Sequence, residues 1–270
     1  CKNFRDYIMK FTALMPVHNQ VKFKLLRKSL DSVMTSTLLP NEFLILIDGQ
    51  ISQRKIFFLK NFCKKNKIIK LVFKKKVGLT KILNYGLNIA KYEIVARVDS
   101  DDVNDPSRFY KQIKFLRKNK VDILGTGIFE INKDNKLKRN MIVEPSMLNY
   151  LFFNPLNHMS IMYKKSKILK LGGYPDIKYK EDYALWLLAK LSKYKILNLN
   201  EPLVSCHIDN QTFSRRKSIS SIISEFLILK IIIKKNYLFF PISLISFLLR
   251  ITFLLLPKPI YRLSKIYFNK

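Results

Sequence analysis

The sequence predicts an α/β protein with a mostly parallel central sheet, helices on both faces of that sheet, and a C-terminal apolar helical tail. Short apolar runs alternate with amphipathic stretches through the first half of the chain. Two of those runs are followed directly by an aspartate, Asp48 and Asp99. After Glu225 the chain has no further acidic residue and becomes apolar and basic. Because ligands of open α/β sheets bind beyond the carboxyl ends of the strands, the two aspartates mark the edge where we expect a site.

The elements of the first half follow from hydrophobic periodicity. Five apolar runs have strand length, and the stretches between them space their apolar residues by three and four. Ile82, Leu83 and Leu87, for example, fall on one face of a helix. Pro106 stands at a helix start, where its missing N–H costs nothing. The predicted strands are residues 11–16, 43–47, 68–73, 94–98 and 121–124, and the predicted helices are residues 21–34, 51–64, 78–90 and 109–118.

The second half of the chain is less regular. Asn154-Pro155 is a loop signal, and residues 182–191 form the one clear helical pattern. Residues 238–256 are almost wholly apolar. We therefore expect a different architecture after the fifth strand, and helices near the C-terminal end.

Composition excludes several classes of protein. Of the 270 residues, 48% are hydrophobic, which is enough for a large core and excludes general disorder. Seven glycines and ten prolines exclude collagen-like and low-complexity chains. Cys1, Cys63 and Cys206 are far apart and lack CxxC spacing, which favours a reducing compartment over a disulfide scaffold or a zinc ribbon. Residues 2–10 are mixed and polar, unlike a signal peptide, so we expect a cytoplasmic protein.

The charge balance is strongly basic. Fifty Lys and Arg residues against nineteen Asp and Glu residues give a net charge of +31. Such a charge favours an anionic partner, which could be a nucleic acid, a membrane surface or a phosphorylated substrate. The lysines are spread along the whole chain, as is typical of AT-rich genomes, where Lys accumulates on solvated faces. The net charge therefore does not choose among these partners.

The strongest local signal is the segment Arg97-Val98-Asp99-Ser100-Asp101-Asp102. Three carboxylates so close together repel one another unless a cation screens them. Hard oxygen ligands at a strand end suit Mg²⁺ or Mn²⁺, which keeps positions open for substrate phosphates. The alternative is a solvated acidic turn. We interpret Asp99 and Asp101 as metal ligands.

A second acidic pair, Glu181-Asp182, opens the predicted helix of the second half. One carboxylate could act as a general base toward a hydroxyl group while the other orients it. Acids are also favoured at helix N-termini for purely structural reasons. The spacing alone leaves both interpretations open.

Asp48-Gly49 follows an apolar run and could accept hydrogen bonds from a nucleobase or ribose, although a plain Asp-Gly turn explains it as well. The three histidines, His18, His158 and His207, are scattered along the chain. Each is more readily explained as a structural hydrogen-bonding group than as a metal ligand.

Taken together, these segments resemble the family-2 inverting glycosyltransferases of the GT-A fold, and among them the enzymes of capsule, exopolysaccharide and lipopolysaccharide O-antigen assembly. The resemblance covers roughly residues 10–215, with the motifs in family order. The matching segments are Met15-Pro16-Val17-His18-Asn19, Asp48-Gly49, Gly78-Leu79, Leu83-Asn84-Tyr85-Gly86, Arg97-Val98-Asp99-Ser100-Asp101-Asp102, Pro106-x-Arg108 with Gln112, Asn154-Pro155, Asn157-His158, Gly172-Gly173-Tyr174 and Glu181-Asp182-Tyr183-x-Leu185-Trp186.

The resemblance implies that an acceptor hydroxyl displaces a nucleoside diphosphate, with UDP expected, from the anomeric carbon of a sugar, with inversion and with Mg²⁺ or Mn²⁺ at the diphosphate. It implies a role for each candidate residue: Asp101 as metal ligand, Asp99 at the ribose or metal, Asp102 orienting either, Asp182 as base with Glu181 positioning it or the acceptor, Pro16, His18 and Asp48 lining the nucleotide pocket, and Lys81 and Arg97 contacting phosphate. His207 stands where relatives often carry Arg near the diphosphate, so it is a candidate for phosphate or metal contact.

The same resemblance divides the chain into three parts. Residues 1–125 would bind the nucleotide sugar, residues 126–215 the acceptor, and residues 216–270 would form a basic apolar helical tail. A sugar-nucleotide pyrophosphorylase is an alternative, but it usually has a Gly-rich N-terminal loop where this chain has Pro16-Val17-His18-Asn19. A basic nucleic-acid-binding protein is a further alternative, against which the dispersed lysines and the acidic segment argue.

The tail suggests where the reaction takes place. Residues 238–256 are close to the minimum length of about 17–25 residues that spans a bilayer. Arg250 inside this run would cost about 2.5–3.5 kcal/mol at the membrane centre, and Pro241 also argues against a clean span. We expect helices that lie in the interface of the cytoplasmic leaflet, beside a lipid-linked acceptor. The alternative is that they pack on the catalytic domain or on a second subunit.

Overall fold

One nine-stranded sheet organises the part of the chain that this computed structural model describes, residues 9–132, 135–207 and 218–256. The strand order is β3-β2-β1-β4-β8-β6-β9-β5, with β7 paired to β6. The strands are β1 (Phe11–Val17), β2 (Glu42–Asp48), β3 (Ile69–Lys74), β4 (Ile94–Arg97), β5 (Val103–Asn104), β6 (Ile123–Asn132), β7 (Asn135–Arg139), β8 (Met162–Lys164) and β9 (Ile196–His207). The helices are α1 (Phe23–Met34), α2 (Gln53–Lys65), α3 (Leu79–Ile89), α4 (Arg108–Asn119), α5 (Met147–Phe152), α6 (Lys165–Lys170), α7 (Glu181–Leu191), α8 (Ile219–Lys235) and α9 (Phe240–Leu255).

The first four strands form the predicted parallel unit. β1 pairs in parallel with β2 and β4, and β2 pairs in parallel with β3. β1 is buried along its whole length, and β2 along all but its last residue, as expected for strands covered by helices on both faces. The carboxyl ends of β1, β2 and β4 therefore meet at one edge, where Val17, Asp48 and Arg97 are the last residues of their strands.

The second half of the sheet is mixed, which the apolar runs alone did not predict. β8 is antiparallel to both β4 and β6, while β9 runs parallel to β6 and antiparallel to β5. The predicted fifth strand begins at Ile123 and continues to Asn132. The ladder between β6 and β9 is irregular at Thr126–Ile128, which bends this side of the sheet. The α/β fold with helices on both faces and an apolar C-terminal helix is confirmed.

Alternate residues of β1 enter two different cores. Leu14 packs with residues of α3, α5 and α7 on one face, whereas Ala13 and Met15 pack with residues of α1, α2 and α4 on the other. Gly86 of α3 lies so close to the sheet that an added Cβ would overlap the side chains of Leu14 and Leu46. Helix α3 consequently packs directly on the carboxyl half of the strands that lead to the site.

The tail helices pack on the rest of the protein through one side only. Ser246 and Phe247 of α9 and Ile228 and Ile232 of α8 are buried, and Ile228 and Ile232 join the core that contains α5 and α7. The opposite side is apolar and exposed, and its members are Ile219, Ile223, Phe226, Ile233, Leu238, Ile245, Leu248 and Leu249. The segment Tyr237–Leu255 is long and apolar enough to cross a bilayer by length and composition, which by itself is weak evidence for a span. Residues 216–217 and 257–270 of the predicted tail lie outside the described residues.

Candidate active site

The turn that follows β4, residues 99–102, is called the acid turn here and lies at the carboxyl edge of the sheet. The backbone of its first residue and of the two residues before it is held from three sides. Val98 N–H donates to Leu14 O at 3.0 Å, and the Ser29 hydroxyl of α1 donates to Asp99 O at 2.7 Å. Arg108 Nη2 donates to Arg97 O at 2.7 Å. These contacts fix the main chain from which the carboxylates project.

Arg108 and Gln112 of α4 form a buried strut beneath the acid turn. Arg108 is fully buried, and its guanidinium donates to Gln112 Oε1 at 3.0 Å and to Asn104 Oδ1. Gln112 in turn donates to Ser160 O at 2.9 Å. Burial lowers the pKa of Arg108 to about 9, against the opposing charges of Asp99 and Asp102. The family motif Pro106-x-Arg108 with Gln112 thus supplies a cation under the acid turn, a positioning role for which the sequence analysis had no proposal.

Arg97 brings unsatisfied hydrogen-bonding capacity into the site. Its side chain is 2% exposed, and Nη2 lies 2.6 Å from Asp99 Oδ1. Asp99 Oδ1, Arg97 Nε and Arg97 Nη1 are all buried without a hydrogen-bond partner among the described residues. Buried donors and acceptors are normally satisfied, so these atoms are available to hydrogen-bond a polar ligand.

The acid turn fits a divalent cation that the substrate helps to hold. Burial, with the charges of Asp99 and Asp101, raises the pKa of Asp102 well above its usual range. A bound cation would relieve that repulsion. Within the described residues no group of three or more His, Cys, Asp or Glu side chains forms a ready-made metal cage. Mg²⁺ is commonly held by one or two carboxylates together with substrate phosphates. The exposed Asp101 and the half-buried Asp99 can supply those carboxylates.

The end of β9 approaches the acid turn. Val103 pairs with Ser205 in antiparallel register, so the chain beyond Ser205 runs back alongside the acid turn. Burial, followed by the charges of Asp102, Glu130 and Asp99, raises the pKa of the Cys206 thiol. His207, the next residue, is exposed at the end of β9. Its predicted contact with phosphate or metal stays a prediction.

The structure places Glu181 and Asp182 in the first turn of α7, close to the acid turn. Burial and the charge of Asp182 raise the pKa of Glu181 to about 7, while Arg97 lowers it and Asp99 raises it further. Since such charge effects require short separations, the two acidic segments, far apart in sequence, share one site. Asn154 Nδ2 donates to Asp182 Oδ2 at 2.9 Å. In the sequence Asn154 is part of a loop signal and a family motif; in the structure its hydrogen bond fixes one carboxylate oxygen of Asp182.

His158 lies in the region between the two acidic segments. Its Nε2 is 3.3 Å from Tyr174 Oη, and its ring packs against the rings of Tyr174 and Trp186. Burial and the charge of Arg97 lower its pKa, while Asp182 and Asp99 oppose that shift. The structural interpretation of this histidine is thus supported, but its position beneath the site could be found only from the fold.

The nucleotide-side candidates lie at the ends of β1 and β2. Pro16 is buried in β1, and the exposed His18 follows the strand, with its Nδ1 accepting from Gln20 N–H at 3.2 Å. Asp48 accepts from Val77 N–H at 2.7 Å, and it also accepts from the N–H of the residue that precedes α3. Asp48 therefore holds the loop that leads into α3.

Lys81 is exposed in the first turn of α3, whose start Asp48 holds. The fold thus brings the four nucleotide-side candidates to one edge. Their contacts with a nucleotide stay predictions.

A second pair of motifs is explained by direct contact. Asn84 of α3 donates to Tyr174 O at 2.9 Å and accepts from Tyr174 N–H at 2.7 Å. Gly173 has φ +79°, and an added Cβ there would overlap Asn84 Oδ1. Helix α3 and the loop that leads to α7 are therefore held together by contacts between two of the family motifs, Leu83-Asn84-Tyr85-Gly86 and Gly172-Gly173-Tyr174.

The sequence is similar to those of known glycosyltransferases. The model of Glycosyl transferase family 2 matches residues 12–173. The chain is 31% identical, over 93% of its length and 94% of the relative's, to the UDP-Gal:alpha-D-GlcNAc-diphosphoundecaprenol beta-1,3-galactosyltransferase of Escherichia coli. It is 29% identical to the amylovoran biosynthesis glycosyltransferase AmsE of Erwinia amylovora, over 80% of this chain and 82% of that one.

The fold is also found in solved structures. The crystal structure of S. aureus TarS 1-349 superposes with a TM-score of 0.68 at 18% identity, over 84% of this chain and 66% of that one. A complex of the same protein with UDP-GlcNAc superposes with a TM-score of 0.67, also at 18% identity, over 84% of this chain and 68% of that one. The chain belongs to glycosyl transferase family 2, and it is a glycosyltransferase of the GT-A fold.

Proposed function

We propose that this glycosyltransferase moves a sugar from a UDP-sugar to a hydroxyl group of a lipid-linked saccharide, with inversion at the anomeric carbon and with a divalent cation at the diphosphate. The observation that carries the proposal is the convergence of the acid turn, Arg97 and the Glu181–Asp182 pair on one site. The relative from Escherichia coli that covers nearly the whole chain is named for a UDP-sugar donor and a diphosphoundecaprenol-linked acceptor. That relationship supports the donor and acceptor classes.

The acid turn, Arg97 and the nucleotide-side candidates form what is called the donor side of the site, and they supply both positively and negatively charged groups. Arg97 Nε and Nη1, which lack partners among the described residues, would donate to the diphosphate or to the ribose. Asp101 and Asp99 would hold Mg²⁺ or Mn²⁺, and Asp102 would orient one of them. When bound, the cation would stabilise the negative charge of the departing UDP. Pro16, His18, Asp48 and Lys81 would line the nucleotide pocket, and His207 would approach the phosphates.

The acceptor side supplies the base. Asp182 would take the proton of the acceptor hydroxyl, whose oxygen then bonds to the anomeric carbon on the face opposite the leaving UDP. The bond between that carbon and the UDP oxygen breaks in the same step, so the configuration inverts. The hydrogen bond from Asn154 holds one carboxylate oxygen of Asp182 in place. Glu181 would position Asp182 or the acceptor.

The tail would place this site at a membrane surface. The exposed side of α8 and α9 is apolar, and Lys230 and Lys234 line an open apolar groove on α8 together with Phe226, Leu227, Leu229 and Ile233. Anionic headgroups attract such basic residues, and acyl chains accept the apolar ones. A cytoplasmic, peripheral location of the protein would bring a lipid-linked acceptor within reach of Asp182.

A transfer assay tests the reaction. Purified protein is incubated with Mn²⁺, a synthetic GlcNAc-diphospholipid acceptor, and UDP-galactose, UDP-glucose or UDP-N-acetylglucosamine in turn. We expect one donor to yield a disaccharide lipid whose new linkage is β by NMR, because these donors are α-linked. A product of retained configuration, or no product from any UDP-sugar, would contradict the proposal.

Ligand binding tests the cation separately. UDP with Mn²⁺ at about 100 times its Kd should stabilise the fold by about 2.7 kcal/mol. Asp101→Ala should lose that metal-dependent stabilisation while keeping the thermal stability of the unliganded protein. Equal stabilisation by UDP with and without Mn²⁺ would exclude the proposed cation site.

A further inference from the structure

The tail helices contact the element that carries the proposed catalytic pair. Lys180 is the residue before α7, and its ammonium group pairs with Glu225 Oε1 on α8. Arg250 of α9 binds the other oxygen of the same carboxylate, with Nε 2.8 Å from Oε2. The Glu225 side chain is 2% exposed. One buried carboxylate therefore joins two cations from different elements, and these three residues are called the tail triad.

Arg250 also ties together the two segments that hold Asp182. Its Nη1 donates to Leu151 O in α5 and lies 3.4 Å from the Tyr183 hydroxyl in the first turn of α7. The chain runs directly from α5 to Asn154, which donates to Asp182. The segments that carry the proposed base and its hydrogen-bond partner therefore both contact the same arginine.

A further contact fixes the loop before α7. Ser224, next to Glu225 on α8, donates to Lys178 O at 2.7 Å. Helix α8 thus holds the chain on the approach to α7 through a backbone carbonyl, and at the start of α7 through Lys180. No member of the tail triad belongs to the acid turn or to the acidic pair itself.

We propose that Glu225 is a positioning residue for the transfer reaction proposed above, setting the location of Asp182 through Lys180 and Arg250. Buried ion pairs contribute little net stability compared with apolar groups of similar volume, but they define geometry where one carboxylate must meet two directed donors. In-line attack by the acceptor needs the base at a defined place, and a displacement of about 1 Å can cost about 100-fold in rate.

The chain offers a matched control for a purely structural role. Glu42 is the first residue of β2, at the end of the strand away from the site. It is also a buried carboxylate, 3% exposed, and it pairs with Lys70 at 2.7 Å. Glu42→Gln and Glu225→Gln remove the same charge from equally buried sites, and only the second site contacts α7. A loss of stability common to both variants is therefore separable from a loss of catalysis in one.

The first experiment compares kinetics at saturating substrate. We expect Glu225→Gln to lower kcat by about 10–100-fold, while the KM for the UDP-sugar and the Kd for UDP change less than twofold. Glu42→Gln should keep kcat within about twofold. The triple variant K180M/E225L/R250M replaces the tail triad by apolar groups of similar size, which keeps the core packed, and should lose kcat as Glu225→Gln does. Wild-type kcat in the triple variant, or an equal loss in Glu42→Gln, would overturn the proposal.

The second experiment does not depend on activity. Hydrogen–deuterium exchange is followed in a peptide covering residues 177–186 and in one covering α3. Glu225→Gln and the triple variant should raise exchange at the start of α7 and leave α3 unchanged, whereas Glu42→Gln should not affect the α7 peptide. If the wild type transfers no sugar, the proposed function fails and this measurement still decides the positioning role. Unchanged exchange at α7 in both tail variants overturns it.

Discussion

The acid turn after β4 and the acidic pair at the start of α7 contribute carboxylates to one site, yet different parts of the chain support them. The acid turn is held by neighbours in the parallel unit, through Ser29, Arg108 and the main chain of β1. The acidic pair is held by Asn154 and by the tail triad, whose members Glu225 and Arg250 follow much later in sequence. The donor side therefore depends on local packing, and the acceptor side depends on the tail.

The two sides also differ in how their charges are compensated. Two buried guanidinium groups, Arg97 and Arg108, lie beside the acid turn. Lys180 directly precedes the acidic pair in the chain, and its ammonium group pairs with Glu225. Burial and the charge of Asp182 raise the pKa of Glu181 to about 7, so this carboxyl group holds a proton more readily than a solvated one does. We infer that the donor side is arranged to bind concentrated negative charge, whereas the acceptor side is arranged to accept a proton.

The largest expected effect comes from the acceptor side. Asp182→Asn keeps the volume of the side chain and removes its ability to take a proton, so kcat should fall by about 100- to 10,000-fold. UDP binding, measured by calorimetry, should stay within about twofold because the donor side is untouched. Asp176→Asn, an exposed change shortly before α7, is the control and should retain wild-type kcat. Weakened UDP binding in Asp182→Asn would show that the two sides are not separate.

Replacing Arg108, the buried cation beneath the acid turn, should weaken the donor side of the site. Arg108→Lys loses the forked donation to Gln112 and Asn104, and it leaves buried acceptors unsatisfied. We expect a loss of about 2–4 kcal/mol in the free energy of unfolding, together with weaker UDP binding. Arg117→Lys makes the same substitution on the exposed face of α4 and should change stability by less than about 0.5 kcal/mol. Denaturant titration of both variants measures the difference, and equal stabilities would contradict a buried strut.

Replacing Glu181 by Gln should stabilise the protein, and the gain should depend on pH. Its pKa is about 7 in the folded protein and 4.5 when unperturbed, so the folded state holds a proton that the unfolded state releases between these values. The wild type therefore loses stability as the pH rises from 4.5 through 7. Glu181→Gln cannot ionise and should be more stable above pH 7 by about 1–3 kcal/mol, with lower activity.

Thermal unfolding of the two proteins between pH 4 and pH 8 measures this difference. The gain should vanish at the acidic end, where the wild-type carboxyl group is protonated in both states. A gain that persists unchanged at pH 4 would point to packing in place of ionisation.

Much of the donor side could be predicted from the sequence because its signals are local. Each parallel strand is one apolar run, and the acid turn follows its strand directly. The antiparallel strand β8 is short, and the long strand β9 is interrupted by polar residues such as Asn198 and Asn200, so neither produced a clear pattern.

The support of the acceptor side could not be predicted for the same reason. In the sequence, Glu225 marks only the start of a segment without acidic residues. Arg250 is a charge inside an apolar run, where it would be unfavourable in a membrane. Their pairing exists only in the folded chain, where Arg250 turns toward Leu151 and Glu225.

The weakest effect on the reaction should come from the exposed side of the tail, which bears on the location of the protein and not on the chemistry of the site. Ile245 and Leu248 of α9 are 56% and 54% exposed, so Ile245→Ser/Leu248→Ser should leave the Tm nearly unchanged. Losing this apolar surface should weaken flotation with vesicles of phosphatidylcholine and phosphatidylglycerol by about tenfold or more.

Phe57→Ser is the matched control for this variant. Phe57 is 71% exposed on α2, on the opposite face of the sheet, and its replacement should leave flotation unchanged. Transfer to a short-chain, water-soluble acceptor should be equal in all three proteins, because the tail triad remains intact. If the double variant floats as the wild type does, the apolar side of the tail faces another protein surface; if it loses transfer to the soluble acceptor, the two sides of the tail act together.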